Sequence, residues 1–233
     1  MQGLKLSSLA LGAQQAAGFR LDAAPNGVIL LDAALSVYSD DPPTTAATDG
    51  DAVEAWTDRT SDRIFTDSGT APVWRASPPR IDYQGGTENV VNALGGALTT
   101  STTHHLLWWI DVKGSIGNDQ IARTTTGSLI VYLSQAGTMK VYDGSFRDST
   151  AAPTTGLQLL ELQLDGSGGT GRFYRDGAAV GSAFTYTPQQ LGSSTLQVGA
   201  GSGVLNAELR RFLWCDAILS GSDLTNVREA MQQ

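Results

Sequence analysis

Paired carboxylates, two histidines, one cysteine and five tryptophans are the residues of this 233-residue chain with chemistry to offer. Glu161 and Asp165 lie in the alternating run LELQLD. In an extended strand, residues i and i+2 share a face, so Glu161, Gln163 and Asp165 point one way and Leu160, Leu162 and Leu164 the other. Retaining glycoside hydrolysis needs two carboxyl groups about 5–5.5 Å apart, whereas four residues of strand separate these two by about 13–14 Å. The pair therefore reads as the wet face of a sandwich strand. His104 and His105 are adjacent at the start of another strand, where their side chains leave on opposite faces, and no Gly-x-Ser-x-Gly elbow accompanies them. Cys215 follows Trp214 near the end of an apolar run and reads as core rather than nucleophile. No phosphate loop or zinc-ligand cluster is present. The sequence predicts no catalytic residue, no metal site and no enzyme.

Binding chemistry is better represented. Asp40-Asp41 and Asp49-x-Asp51 share one loop and offer oxygen ligands to calcium, but without EF-hand spacing, and turn formation accounts for the same aspartates. No cofactor is predicted, with calcium as the one ion the loop could take. A sugar site would use an exposed aromatic face beside polar groups. Of Trp56, Trp74, Trp108, Trp109 and Trp214, the adjacent pair Trp108 and Trp109 must point to opposite sides of their strand. One of the two is thereby placed to meet solvent or a partner, and they are the candidate glycan-binding residues.

These residues need elements to hold them. Twenty-seven glycines, with Ser, Thr and Asp, supply turn signals throughout, and charged residues make up only 16%; this is an all-β composition. HLLWWIDV (His105–Val112) reads as a strand buried on both faces. Gln120–Arg123, Leu129–Ser134 and Thr138–Tyr142 read as a meander, and Leu157–Asp165 as a strand with one wet face. Asp176-Gly177 sits between two β-prone runs and predicts a type I′ hairpin. Thr195–Gly199 and Glu208–Cys215 follow as strands. Ser220-x-x-Asp223 resembles a capping box opening a short C-terminal helix, with Leu224, Val227 and Met231 on one face.

No linker divides the chain, so residues 34–233 are predicted as one antiparallel β-sandwich. Residues 1–33 are predicted as edge strands or as an N-terminal arm, whose Leu4, Leu6, Leu9, Leu11 and Phe19 would pack on a neighbouring subunit. The first residues make a poor signal peptide, so secretion by that route is not expected. No run approaches the ~20 apolar residues needed to span a bilayer. A net charge of −8 without a basic cluster argues against nucleic-acid binding. The single cysteine rules out an intramolecular disulfide.

Two stretches carry a resemblance. The hairpin GRFYRDGAAVG, then LQVGAG, a last strand and AILSGSDLTNVREAM, is similar to the tail of concanavalin A-like (laminin-G-like) jelly-roll domains. Asp49, Gly50, Asp51, Val53, Trp56, Asp58, Pro72, Trp74, Ile81 and Gly85 resemble the opening of that fold as carried by bacteriophage and bacterial surface proteins. Thr60-Ser61-Asp62 and Tyr83-Gln84-Gly85 depart from the family pattern. The resemblance implies a jelly roll. The E-x-D-x-x-E of its glucanase members is absent from Glu161–Asp165, which disfavours a glycoside hydrolase. It also implies a non-enzymatic virion structural protein, decorating a capsid or sitting on a tail or fibre, made in the host cytoplasm and assembled with other virion proteins. A homo-oligomer, with a trimer favoured, is expected. The alternative expectation is a lectin-like module recognising host surface glycans. Deleting residues 1–20 is expected to leave a folded domain that no longer assembles, as size-exclusion chromatography and particle copurification would show.

Overall fold

The computed structural model describes residues 19–67, 69–86, 89–97, 99, 101–113, 119–124, 129–133, 139–148, 155–189, 193–199 and 205–233. In chain order its strands are β1 (Gly27–Asp32), β2 (Val37–Tyr38), β3 (Ala55–Thr57), β4 (Ile64–Asp67), β5 (Val73–Ala76), β6 (Pro79–Gly86), β7 (Asn89–Ala97), β8 (His104–Val112) and β9 (Asp119–Thr124). They continue with β10 (Ile130–Leu133), β11 (Met139–Tyr142), β12 (Phe146–Asp148), β13 (Gly156–Asp165), β14 (Thr170–Arg175), β15 (Ala178–Thr185), β16 (Ser193–Gly199) and β17 (Leu205–Cys215). A 3-10 turn at Leu21–Ala23 precedes them, and the helix α1 (Gly221–Met231) closes the chain.

The strands form two antiparallel sheets packed as a sandwich. One runs β15-β14-β13-β8-β17-β6-β5, with β1 also on β17; the other runs β12-β11-β10-β9-β16-β7-β4-β3-β2. The core between them draws Leu106, Trp108, Ile110 and Val112 from β8 and Leu160, Leu162 and Leu164 from β13, facing Val131, Leu133, Val141, Leu196 and Val198 of the other sheet. The expected hairpin is present: Asp176 and Gly177 have φ of 50° and 79°, the positive pair that a type I′ turn requires. Asp176 also exchanges two bonds with Leu159, its N–H donating to the Leu159 carbonyl (2.8 Å) and its Oδ1 accepting from the Leu159 N–H (2.9 Å).

β17 serves both faces of its sheet because its parity changes midway. Its register on β8 steps from Leu209↔Ile110 to Arg211↔Trp109, leaving Arg210 as the extra residue of a β-bulge. Ala207 and Leu209 point into the sandwich before the bulge, and Phe212 and Trp214 do so after it. Leu213 and Cys215 consequently face outward, where they meet Leu107, Leu159, Leu219, Val227 and Met231 in a second apolar cluster. The same strand pairs with β6 up to Leu209 and with β1 from Arg211 onward.

Three residues of the family-like opening motif explain why β1 belongs to the sandwich. Trp56 Nε1 donates to the Asp32 carbonyl (3.2 Å) and Trp74 Nε1 to the Ala33 carbonyl (2.8 Å). The fully buried Asp58 accepts from the Leu30 N–H (2.8 Å), the Thr60 N–H (2.9 Å) and the Ser61 hydroxyl (2.5 Å). A carboxylate removed from water needs such a set of donors.

The outward face of β8, β13 and β17 is roofed by α1. Eleven residues are too few for a helix to be stable alone in water, so this one depends on docking. Val227 and Met231 are buried, with Leu224 packed at the margin, and each fully buried large side chain contributes roughly 1.5–3 kcal/mol. Polar clasps fix the helix along its length. His105 Nδ1 accepts from the Leu219 N–H (3.2 Å), which places the ring hydrogen on Nε2, facing Glu161 Oε2 at 3.4 Å. Arg228 donates through Nε and Nη2 to both Glu161 oxygens (2.6 and 2.9 Å). Arg211 donates to the Ala230 and Met231 carbonyls (3.0 and 3.1 Å), satisfying acceptors at the helix C-terminus, and pairs with Asp32 at 2.9 Å.

Two sequence expectations are corrected here. Glu161 is not on a wet face: it is fully buried beneath α1, because the apolar residues of the helix and of Leu159 and Leu213 seek each other and close over it. The capping box is not formed. Ser220 occupies the N-cap position in extended conformation, but its side chain makes no capping bond.

Removing one partner of a buried ion pair strands the other charge, at a cost of roughly 3–5 kcal/mol, whereas replacing both by apolar residues is often nearly neutral. Urea denaturation is expected to show Glu161→Ala destabilised by about 3 kcal/mol and Glu161→Met/Arg228→Met by far less. Burial pushes the Glu161 carboxyl up, but bonds from His105 and Arg228 and the Arg228 charge outweigh it and hold the pKa below the ordinary value. Its contribution is therefore full above the unfolded carboxyl range and lost as pH falls through the lowered folded value, so melting temperature should drop on acidification and drop less in the double variant. Burial pushes the Cys215 thiol up to about 12; the native protein is expected to resist iodoacetamide at pH 8 and to react fully in denaturant, by mass spectrometry.

Candidate functional site

The structure separates the two tryptophans of the predicted glycan pair. Trp108 is fully buried between the sheets, its ring 5.5 Å from that of Phe212, and has no face to offer a sugar. Trp109 points to the roofed side, half-buried against the second apolar cluster, and lines a small recess of about 100 Å³ with Pro78, Pro79, Arg210 and Arg211. Phe19 packs on that same cluster of its own chain; Leu4, Leu6, Leu9 and Leu11 lie outside the described residues.

The remaining candidates for chemistry are held in structural roles. His104 is buried edge-on to Trp214 (centroids 5.6 Å apart), with Nε2 3.2 Å from the Gln189 carbonyl; burial pushes its pKa down, against a smaller upward effect of that bond. As expected of neighbours in a strand, His105 leaves on the other face. Asp40 accepts from the Thr44 and Thr45 backbone N–H groups and the Thr44 hydroxyl, which hold its carboxyl down at about 2. Asp51 accepts from Thr48 (2.7 Å), and Asp49 from the Ala76 N–H (2.9 Å). Asp40 and Asp51 thus close turns with their own oxygens, and Asp49 ties the loop to the end of β5. Among the described residues no group of three or more His, Cys, Asp or Glu is placed to hold a metal ion.

An exposed aromatic surface lies elsewhere, on the outer face of the other sheet. β10 and β11 alternate: Val131, Leu133, Met139 and Val141 enter the core, so Ile130, Tyr132, Lys140 and Tyr142 face out. Register sets these in two rows. Arg123, Ile130, Tyr142 and Phe146 follow one another across β9 to β12, and Gln120, Tyr132 and Lys140 form the row beside them. Phe146 is 62% exposed, and its ring lies 5.1 Å from that of Tyr142 and 5.9 Å from that of Tyr132. Polar groups adjoin the rings: Arg123 Nη1 donates to Gln120 Oε1 (3.4 Å), and Gln120 in turn hydrogen-bonds Tyr132. Burial raises the Tyr132 pKa, against smaller downward effects of the Gln120 bond and the Arg123 charge.

Sequence reading missed this platform, although the signal was present. The inward alternation of Val131/Leu133 and Met139/Val141 already requires Tyr132 and Tyr142 to share the opposite face. What the sequence lacked was the β10–β11–β12 register that brings them against Phe146.

No protein-family model matches the chain, and no curated protein does. Solved structures do. The binding domain of botulinum neurotoxin DC, in complex with SialylT, superposes with a TM-score of 0.61 at 9% identity over 89% of this chain and 51% of that one. The Trypanosoma rangeli sialidase in complex with sialic acid gives 0.58 at 10% identity, covering 84% and 36%. Domain 4 of an extracellular arabinanase from Geobacillus stearothermophilus, in complex with arabinotriose, gives 0.56 at 13% identity, covering 74% and 92%. The chain spans about half the length of the neurotoxin domain and about a third of the sialidase. At these identities the likeness is one of fold: an antiparallel β-sandwich.

Proposed function

We propose that this protein is a non-enzymatic, glycan-binding β-sandwich that serves as a structural component of a bacteriophage particle. The observation that carries the glycan reading is the Tyr132–Tyr142–Phe146 platform. Pyranose rings present a C–H face that stacks on aromatic rings and a polar rim that hydrogen-bonds to groups such as Arg123. The neurotoxin, sialidase and arabinanase structures that share the fold were solved with SialylT, sialic acid and arabinotriose, which supports the reading by analogy of fold.

Glu161 in particular is not free for acid–base work, both of its oxygens being bound by Arg228 beneath a helix. The particle role rests on the resemblance of Asp49–Gly85 to the opening of concanavalin A-like domains as carried by phage and bacterial surface proteins, the C-terminal segment resembling the tail of that fold in general. In that role the protein sits on a capsid, tail or fibre, assembles with other virion proteins as a homo-oligomer, with a trimer favoured, and keeps particles soluble through its −8 charge.

A glycan array over bacterial surface polysaccharides is expected to give binding that Phe146→Ala and Tyr142→Ala each weaken about tenfold, the equivalent of ~1.4 kcal/mol of stacking. Because Phe146 is exposed, its substitution should leave the melting temperature unchanged. Silence of the wild-type protein across the array would remove the glycan reading and leave the particle role, which copurification with intact particles tests independently.

A further inference from the structure

We propose that a second site, the cleft beside the C-terminal end of α1, binds a carboxylate-bearing saccharide. The cleft holds about 370 Å³, within the ~300–1,000 Å³ range of small-ligand sites. Three arginines reach it from separate parts of the chain: Arg20 ahead of the 3-10 turn, Arg59 after β3 and Arg211 on β17. A fourth, Arg210, lines the recess below Trp109, which shares Asp32, Arg211 and Gln233 with the cleft. The chain has 23 acidic and 15 basic residues in all, yet around these two hollows four arginines face two aspartates, the reverse of its overall balance.

The two aspartates are already engaged. Asp22 is gripped by Arg20 through both oxygens (3.0 and 2.5 Å), and Asp32 by Arg211 (2.9 Å) and the Ala34 N–H (2.9 Å). Arg59 is exposed and donates through Nη1 to the Ser36 hydroxyl at 3.2 Å. Its fork is available for a bidentate contact with an incoming carboxylate. The lining beside Arg59 is apolar, with Leu30, whose carbonyl accepts from the Arg59 N–H (2.8 Å), and Leu35, 48% exposed.

This mixture selects the ligand. A bare phosphate could use the arginines but neither the aspartate lone pairs nor the leucine surface, and a neutral sugar would make no charge-assisted bond to Arg59. A sugar acid uses all of it: carboxylate on Arg59, hydroxyls donating to the free lone pairs of the aspartates, and its C–H face on Leu35. The assignment takes its ligand class from the glycan reading above but uses a different site, on the other sheet.

Calorimetric titration of the full chain with D-glucuronic acid, D-glucose and inorganic phosphate tests it. Glucuronate is expected to bind, glucose and phosphate to bind at least about tenfold more weakly. Arg59→Ala, on an exposed side chain, should weaken glucuronate about tenfold with melting temperature unchanged, and Phe146→Ala should leave it unaffected. No binding of glucuronate, equal binding of glucose or phosphate, or indifference to Arg59→Ala would each overturn the proposal. Loss on Phe146→Ala alone would move acidic sugars to the platform, sinking the cleft while sparing the glycan reading; array binding lost with glucuronate binding kept would do the opposite.

Discussion

A carboxylate that never meets water governs the roofed side of this sandwich. Glu161 is bound by Arg228 from the helix and faces His105 from the neighbouring strand, and His105 in turn receives the Leu219 N–H at the helix entrance. The site joins β8, β13, the connection after β17 and α1 in one place. Desolvating the carboxyl is costly, and the arrangement is stable only because each partner is oriented by packing around it. Arg228 lies against the tip of the Asp176-Gly177 hairpin, where a Cβ on Gly177 would stand 3.3 Å from its guanidinium. Glycine there suits the positive φ of the turn, and a Cβ would press on the guanidinium.

The bulge at Arg210 has a comparable reach. Without it, one parity would run through β17, and its second half would present Leu213 and Cys215 to the sandwich and Phe212 and Trp214 to the helix. One extra residue lets a single strand complete the main core and floor the helix docking site. It also places Arg211 under the last helical carbonyls and beside Asp32, forming the wall between the recess below Trp109 and the larger cleft. The two sheets therefore differ in kind: one is covered by a helix and leaves hollows at its margin, while the other, among the described residues, displays rings at β10 to β12.

Much of the fold was readable from alternation and turn chemistry. Leu157–Asp165, His105–Val112 and the meander through Tyr142 appear as strands within a residue or two of their expected limits, because burial on one or both faces leaves a period-two or continuous apolar trace. The face of Leu224, Val227 and Met231 was legible for the same reason. The platform was half legible: alternation selects Tyr132 and Tyr142, but their meeting with Phe146 depends on pairing. The glycan pair at Trp108 and Trp109 was read correctly as facing opposite ways and wrongly as leaving Trp108 eligible, since nothing local says which side of a central strand is the interior.

The sequence by itself determined an all-β sandwich, its hairpin and its closing helix, since each follows from spacing between near neighbours. Only the tertiary structure decided that Glu161 is buried, that Arg228 and His105 are its partners, that the motif residues Trp56, Asp58 and Trp74 serve to hold β1, and that four arginines gather around adjoining hollows. Those outcomes depend on residues dozens to nearly two hundred positions apart, such as Asp32 with Arg211. Strand register and helix docking set such distances, and neither is written in the local pattern of the residues concerned.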